Sequence, residues 1–243
     1  MKVVALIPAR LASTRLPEKL LIKLGDKTVI QRTYEATVAT QLFDEVIVVA
    51  DSDILIENIA AINGKAIKST GIYESGTDRI AEIAQDIEAD VIINVQGDEP
   101  FVQKEPLAQL IQAFKEDDLL QVASIRKEIT DSTLIQSPNI VKVITDLENR
   151  SLLFSRSPIP YVRDSEQSIH YYQHIGVYAF RKAALLQFTK WELTPLEKIE
   201  KIECLRFLEH GIPLKMITVK EMGIGIDVRE DVERALNYIE SQK

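Results

Sequence analysis

Cysteine is almost missing from this chain. Cys204 stands alone, so no intrachain disulfide can form, and that usage fits a reducing cytoplasm. Long apolar runs are missing too: no stretch approaches the roughly 18 residues of a membrane span. The apolar start, Val3 to Ile7, is too short for a secretory leader, and Arg10 and Arg15 follow it at once. These absences predict a cytoplasmic protein without a membrane span. Glycine and proline number nine each in 243 residues, with no linker, repeat or low-complexity tract, so a single α/β domain over residues 1–243 is expected. Positive charge is in deficit: the formal net charge is −8, which argues against sequence-independent nucleic-acid binding. Several catalytic signatures are absent as well. There is no Gly-x-x-x-x-Gly-Lys-Ser/Thr loop, no Gly-x-Gly-x-x-Gly after the first strand, no Gly-x-Ser-x-Gly elbow and no His/Cys metal cluster.

What is present is an alternation of short apolar runs and helix-period segments. Val3–Ile7, Glu45–Ala50, Ala66–Lys68 and Val91–Val95 read as buried strands. Between them, Thr28 is placed to cap a helix to about Gln41, with Ile30, Tyr34 and Val38 on one face. Asp53 is placed to cap a second helix, through Ile62, and Ser75-Gly76-Thr77 opens a third, to Asp86. A helix over about Glu105–Lys115 follows. This order specifies a doubly wound, mostly parallel α/β sheet. The second half is less regular. Strands are expected at Gln121–Arg126, Val141–Thr145, Ile175–Phe180 and Leu214–Val219, with a helical turn near Asp131–Ile135. One long helix is expected over Pro195–His210, with Ile199, Ile202, Leu205 and Leu208 inward and Gly211 as its stop, and another over Arg229–Ser241. Residues 157–167 read as an excursion from the core.

The chemistry concentrates in Pro8-Ala9-Arg10-Leu11-Ala12-Ser13-Thr14-Arg15-Leu16-Pro17-Glu18-Lys19. Prolines nine apart forbid one unbroken helix, so this is an irregular loop at the carboxyl end of the first strand, where open α/β sheets bind ligands. Arg10, Arg15 and Lys19 suit a polyanion such as a triphosphate; a solvated basic loop is the plainer reading of the same charges. Asp98 ends the fourth strand in Gln96-Gly97-Asp98-Glu99-Pro100, and a carboxylate there suits Mg²⁺ or simply forms the turn. Asp227, after Gly223-Ile224-Gly225-Ile226, is a second metal candidate or the cap of the last helix. Ser75, Thr77 and Arg79 offer hydroxyls and N–H groups at a helix start, for a ligand or as an ordinary cap. His174 and Tyr178, four apart on a strand, share a face and can line a polar pocket near Arg156, or the histidine is a structural residue.

The ordered set of these motifs resembles the sugar-nucleotide cytidylyltransferases, and among them the 3-deoxy-manno-octulosonate (KDO) cytidylyltransferase, or CMP-KDO synthetase, family. The first loop, Glu74-Ser75-Gly76-Thr77-Asp78-Arg79, Asn94 to Pro100, Phe154-Ser155-Arg156, His174 to Tyr178, Pro195-Leu196-Glu197 through Arg206, and Gly225-Ile226-Asp227 carry it across nearly the whole chain. The resemblance implies a Rossmann-like nucleotidyltransferase fold and the coupling of CTP to KDO, with release of pyrophosphate, for lipopolysaccharide biosynthesis. It implies Asp98 and Asp227 as Mg²⁺ ligands, with Arg10, Arg15 and Lys19 catalytic. Pro8, Ala9, Arg10, Ser13, Thr14, Arg15, Lys19, Ser75, Gly76, Thr77 and Arg79 then bind nucleotide, and Gln96, Arg156, His174, Tyr178 and Glu203 bind the sugar acid. A homodimer is implied, with residues 157–172 a candidate contact. One departure stands out: Cys204 follows Glu203 where the family commonly shows glutamine, which leaves room for an amino-substituted KDO or a sialic-acid-like substrate. On that basis Cys204 is expected at the pocket edge, with an unactivated thiol. From another class, a nucleotide-sensing module without turnover fits the same loop, although the full cation set and both aspartates argue against it.

Overall fold

The computed structural model describes every residue except 14, 74, 165–168 and 243. The chain divides into two compact units: residues 1–108 with 222–243, and residues 109–221.

The first unit is built on four parallel strands, β1 (Val3–Ala9), β4 (Glu45–Ala50), β5 (Ala66–Lys68) and β6 (Val91–Asn94). Their order is β6-β1-β4-β5. All seven residues of β1 are buried, as an inner parallel strand covered on both faces requires. Each such Val, Leu or Ile contributes roughly 1.5–3 kcal/mol by leaving water. The short hairpin β2 (Lys23–Leu24) and β3 (Lys27–Thr28) leads into α1 (Val29–Ala39). Thr28 caps α1 as expected, in a capping box with Gln31. The buried face of α1 is not the expected one. Val29, Ile30, Thr33 and Thr37 turn inward, while Val38 is exposed. Two threonines serve as core residues because each hydroxyl satisfies a carbonyl one turn back, Thr33 that of Val29 and Thr37 that of Thr33. α2 (Asp53–Ala60) starts after Ser52, so Asp53 lies in its first turn and is not its cap. α3 (Gly76–Ala84) opens on Ser75, whose hydroxyl accepts from the Asp78 N–H at 3.0 Å.

The sheet order reverses between β1 and β6, which places the loops after these strands at the switch point of a doubly wound sheet. The turn after β6 comes close to β1 because residue 97 is glycine. A Cβ there would lie 2.8 Å from the Pro8 carbonyl oxygen.

α4 (Lys104–Glu116) carries the chain into the second unit. There β7 (Val122–Glu128) pairs in parallel with β11 (Lys215–Val219) and antiparallel with β10 (Tyr172–Arg181). β8 (Lys142–Thr145) and β9 (Ser151–Ser155) form a hairpin, and β8 touches β10. β9 was not anticipated: Ser151–Ser155 alternates only weakly and its Leu152 is exposed. α5 (Ser132–Ile135) is capped by Asp131. No helix or strand occurs among the described residues of the 157–164 excursion.

After α6 (Lys182–Phe188), the long helix expected over Pro195–His210 is two helices, α7 (Pro195–Glu200) and α8 (Leu205–Glu209). Lys201 ends α7 in the left-handed region at φ 54°, and Ile199 is exposed. The break is held by a buried ion pair. Arg206 donates from Nε to Glu197 Oε2 at 2.8 Å and from Nη2 to Glu197 Oε1 at 2.7 Å. Its guanidinium also lies 3.8 Å over the Phe188 ring. The chain then turns at Gly211, φ 76°. α9 (Arg229–Ser241) returns to the first unit. No helix among the described residues is long and apolar enough to cross a membrane.

The pair sets a stability test. Arg206→Met strands the Glu197 carboxylate in the core and should cost about 3–5 kcal/mol in urea denaturation. Adding Glu197→Leu removes the stranded charge and should recover most of that loss; a double variant no more stable than Arg206→Met would refute the coupling.

Candidate active site

Three segments far apart in sequence meet at the switch point of the first unit. Lys19 lies in a 3-10 turn, Lys19–Leu21, at the end of the basic loop. Its ammonium donates to Asp98 Oδ2 in a short contact and to Asp227 Oδ1 at 3.1 Å. Arg15 donates to Asp227 at 3.0 Å. Backbone holds the carboxylates together: the Ile226 N–H donates to the Asp98 carbonyl at 2.8 Å. Asp227 is not the cap of α9. The side chain of Asp231 fills that role, accepting from the N–H groups of Asp227 and Val228 at 2.8 and 2.9 Å. The Asp227 carboxylate is thereby left for the cations.

Burial pulls the Lys19 pKa down, but Asp98 and Asp227 outweigh it and hold the ammonium above its ordinary value. A third acid escaped the sequence reading. Glu99 follows Asp98, and a Cβ on Gly225 would lie 2.9 Å from its Oε1. Part of Glu99 keeps solvent exposure. Its carboxyl is nevertheless pushed up to about 8, first by burial and then by the charges of Asp98 and Asp227. The signal was legible in Gln96-Gly97-Asp98-Glu99-Pro100: adjacent acids in a glycine-walled turn repel.

The rest of the loop opens on a cleft of about 610 Å³ lined by Arg10, Ser13, Glu18, Asp51 and Ser52 among others. This cleft lies on the Arg10 side of the loop, and the carboxylate pair is not part of its lining. Pro8 and Ala9 are buried in β1, Arg10 is exposed and Ser13 half-buried. Thr14 lies outside the described residues. Asp51, at the end of β4, anchors the loop by accepting from the Leu11 N–H at 3.0 Å. Ser75 is engaged as the cap of α3, and Gly76 packs against the Pro8 ring. Thr77 accepts from Asn94 at 3.1 Å. Arg79 is buried, bonds Ser69 and sits 3.6 Å from Asp51. Gln96 donates to Asn94 at 3.1 Å, beside Gly76.

In the second unit, His174 and Tyr178 share a face with ring centroids 5.3 Å apart, and Phe154 lies edge-on to His174 at 4.9 Å. A bulge after Ile175 adds two residues to β10 against β7, which preserves the shared face. His174 Nε2 meets the Ser124 hydroxyl at 2.9 Å. Burial pushes its imidazole down to about 3, so it is neutral near pH 7. Burial likewise raises the Tyr178 phenol, with Cys204 and Glu203 adding to the rise, and the phenol and the Cys204 thiol bond each other. Cys204 is buried, at 2 % exposure, just before α8. The pocket-edge expectation for Cys204 is therefore corrected to a core position, and burial raises its pKa as an unactivated thiol requires.

Arg156, expected at the sugar, is engaged elsewhere. Its guanidinium donates to the carbonyls of Glu200 at 2.7 Å, Pro138 at 2.7 Å and Lys201 at 3.4 Å. It ties the end of α7 to the segment before β8.

A doubly wound sheet with a cation-rich loop and two carboxylates at its switch point defines the nucleotidyltransferase class of α/β proteins. Known proteins agree. The model of a family described as cytidylyltransferase matches residues 4–220. The 3-deoxy-manno-octulosonate cytidylyltransferase of Flavobacterium johnsoniae is 52% identical over 237 residues, 97% of each chain. That of Christiangramia forsetii is 47% identical over 236 residues, covering 96% of this chain and 95% of the relative. A solved structure of CMP:2-keto-3-deoxy-manno-octonic acid synthetase complexed with CTP superposes with a TM-score of 0.94 at 34% identity, covering 100% of both chains. The 4-diphosphocytidyl-2C-methyl-D-erythritol synthase of Anaerococcus prevotii shares the fold, with a TM-score of 0.65 at 16% identity over 98% of each chain. The chain belongs to the cytidylyltransferase family.

Glu99 generates a pH test in metal-free protein. Its folded pKa lies above the unfolded value of 4.5. Between about 4.5 and 8 the folded state keeps a proton that the unfolded chain releases, so stability falls as pH rises through that window. In EDTA, Glu99→Gln should flatten the decline in urea midpoint from pH 5 to pH 8; an unchanged decline would rule Glu99 out as its source.

Proposed function

We propose that this protein couples CTP to KDO, giving CMP-KDO and pyrophosphate. The observation that carries the reading is the convergence of Arg15 and Lys19 on Asp98 and Asp227 at the switch point of a cytidylyltransferase fold. In the reaction the anomeric hydroxyl of KDO attacks the α-phosphorus in line. One P–O bond forms, the bond from the α-phosphorus to the β-phosphate bridge breaks, pyrophosphate leaves, and the hydroxyl proton is released to solvent. Such transfer depends on positioning and charge stabilisation more than on a side-chain nucleophile, which agrees with a site of cations and carboxylates.

Arg10, Arg15 and Lys19 hold the triphosphate and stabilise the leaving pyrophosphate, with Ser13 and Thr14 adding hydrogen bonds. The backbone of Pro8 and Ala9 and the helix start at Ser75, Gly76, Thr77 and Arg79 take the cytidine side. Asp98 and Asp227 fit a divalent cation, because both already close on a single positive centre, the Lys19 ammonium. Mg²⁺ takes one or two carboxylates and fills its remaining positions with water and phosphate oxygens. When bound, Mg²⁺ supplies charge neutralisation at the phosphates. Gln96, His174, Tyr178 and Glu203 orient the sugar acid, His174 as a neutral hydrogen-bonding ring. Arg156 supports this group by fixing the backbone just before Glu203.

The proposal extends to a cytoplasmic homodimer serving lipopolysaccharide biosynthesis, with the 243 residues acting as one catalytic domain. The single thiol supports the compartment, and the exposed Tyr161 within residues 157–172 supports the contact.

The test is pyrophosphate release across CTP, ATP, GTP and UTP with KDO, amino-substituted KDO and a sialic acid. Release with CTP and KDO together is expected; release indifferent to KDO, or greater with another nucleotide, would overturn the reading. Within that assay Asp98→Asn keeps side-chain size and removes a charge. At limiting Mg²⁺ its rate should fall by about two orders of magnitude or more, equivalent to roughly 3 kcal/mol, while circular dichroism stays unchanged. A wild-type rate would remove Asp98 from the metal site.

A further inference from the structure

Asp51 stands on the wall of the cleft that the basic loop opens on, beside Arg10, Ser13 and Ser52. In a cleft that takes a triphosphate, a carboxylate on the wall repels the ligand. Its hydrogen bonds show another use. Asp51 brackets Arg10: its own N–H donates to the Ala9 carbonyl at 3.2 Å, and its Oδ1 accepts from the Leu11 N–H at 3.0 Å. The start of the loop that carries Arg10, Ser13 and Arg15 is thereby fixed on both sides of its first cation. The other carboxylate oxygen, Oδ2, lies 3.6 Å from Nη2 of Arg79 on α3. One side chain thus joins the loop after β1 to the helix that opens on Ser75.

Arg79 is held in turn. Its Nη1 donates to Ser69 Oγ at 2.5 Å, and that hydroxyl donates onward to the Ala50 carbonyl at 3.2 Å. The Tyr73 ring faces the guanidinium, with Cζ 5.7 Å from the ring centroid. Tyr73 is fixed by Glu82, three residues beyond Arg79 and so on the same face of α3. The Tyr73 phenol donates to Glu82 Oε2 at 2.8 Å, and Thr70 donates to Oε1 from its N–H at 3.1 Å and from its hydroxyl at 2.5 Å. Burial raises the Glu82 carboxyl, but the bonds from Thr70 and Tyr73 outweigh it and hold the group below its ordinary value. Burial first, and Glu82 after it, push the Tyr73 phenol up to about 12. Near neutral pH the clasp therefore stands with Glu82 charged and Tyr73 protonated. Neither residue is part of the cleft lining.

We propose that Asp51 and Arg79 are positioning residues for the nucleotide: Asp51 sets the basic loop on both sides of Arg10, and Arg79, locked by Ser69, Tyr73 and the Glu82 clasp, sets Asp51. The proposal rests on the CTP reading above and deepens it. Arg79 then serves the cytidine side from behind the loop, through Asp51. An acid on the wall of an anion site is explained as well, because the order it imposes on the cations outweighs its repulsion. Cations already in place lose less freedom when the ligand arrives.

The sign of one substitution tests the proposal. Each protein is titrated calorimetrically with CTP and Mg²⁺ in the absence of KDO. Asp51→Ala removes a negative charge. If Asp51 merely faced the ligand, CTP would bind more tightly without it. If Asp51 positions the loop, Asp51→Ala should weaken CTP binding about tenfold, the scale of one hydrogen bond. Asp51→Asn keeps an oxygen for the Leu11 N–H and loses the charge that meets Arg79, so its Kd should fall between Asp51→Ala and wild type. Tyr73→Phe keeps the ring beside Arg79, removes the donor to Glu82 and should weaken CTP about two- to threefold, the low end for one hydrogen bond. In turnover the KM for CTP should rise in all three variants, with the KM for KDO at saturating CTP unchanged; a general loss of stability gives no such split. Tighter or unchanged CTP binding by the Asp51 variants would overturn the proposal, as would a lowered melting temperature with wild-type CTP affinity, or an equal rise in both KM values. Should Asp51→Ala fail to fold, Asp51→Asn decides by the same sign. A wild-type protein that binds no CTP would overturn the earlier reading and this one with it, whereas wild-type binding with unaffected variants would overturn this one alone.

Discussion

The contact of Lys19 with Asp98 and Asp227 is the constraint around which the first unit is arranged. Three chain segments supply it, and each arrives by a different device. The basic loop leaves β1 with its start pinned by Asp51. The turn after β6 approaches β1 because Gly97 has no Cβ to strike Pro8. Asp227 is delivered beside Asp98 by the Ile226 to Asp98 backbone bond, and is relieved of capping α9 by Asp231. Asp98, Glu99 and Asp227 brought together without a cation would repel. The ammonium of Lys19 and the guanidinium of Arg15 make the cluster possible, while Glu99 accommodates to it by holding its proton. A net charge of −8 thus coexists with a locally cation-rich loop.

How much of this was legible depended on whether a residue's role was set by its neighbours in sequence or in space. Strands β1, β4, β5 and β6 are continuous apolar runs that parallel pairing demands, and they stand in the structure close to where periodicity places them. Thr28 and Ser75 are caps whose partners lie three residues on, so local chemistry identified them. The α1 face was misread because two threonines satisfy their hydroxyls within the helix and behave as core residues. The break at Lys201 was hidden because the ion pair that holds it, Glu197 with Arg206, spans nine residues and looks like ordinary helix surface until both ends are buried.

The candidate site followed the same division. Arg15, Lys19, Asp98 and Asp227 were found from position after strands and from resemblance, and the fold brings those four together. Arg156 was placed beside the sugar by its motif, yet its donors run to the carbonyls of Glu200, Pro138 and Lys201. No pattern in Phe154-Ser155-Arg156 reveals that, since the acceptors are backbone atoms from two other segments. Cys204 was read as facing a pocket on the assumption of one long helix. Once the helix breaks at Lys201, the thiol turns onto Tyr178 in the core.

The buried arginines show how this fold handles positive charge where water is scarce. Arg206 is matched by a carboxylate with fork geometry, an arrangement in which removing either partner is unfavourable and keeping both is merely structural. Arg79 has a looser match, a hydroxyl from Ser69 and Asp51 at 3.6 Å, and the same Asp51 anchors the basic loop after β1. Arg126 has hydroxyls, an amide and a ring face, with no acid. The degree of neutralisation falls from the helix clamp to the loop anchor to the face beside His174. The fold thus satisfies one buried guanidinium with an acid and another with neutral acceptors alone.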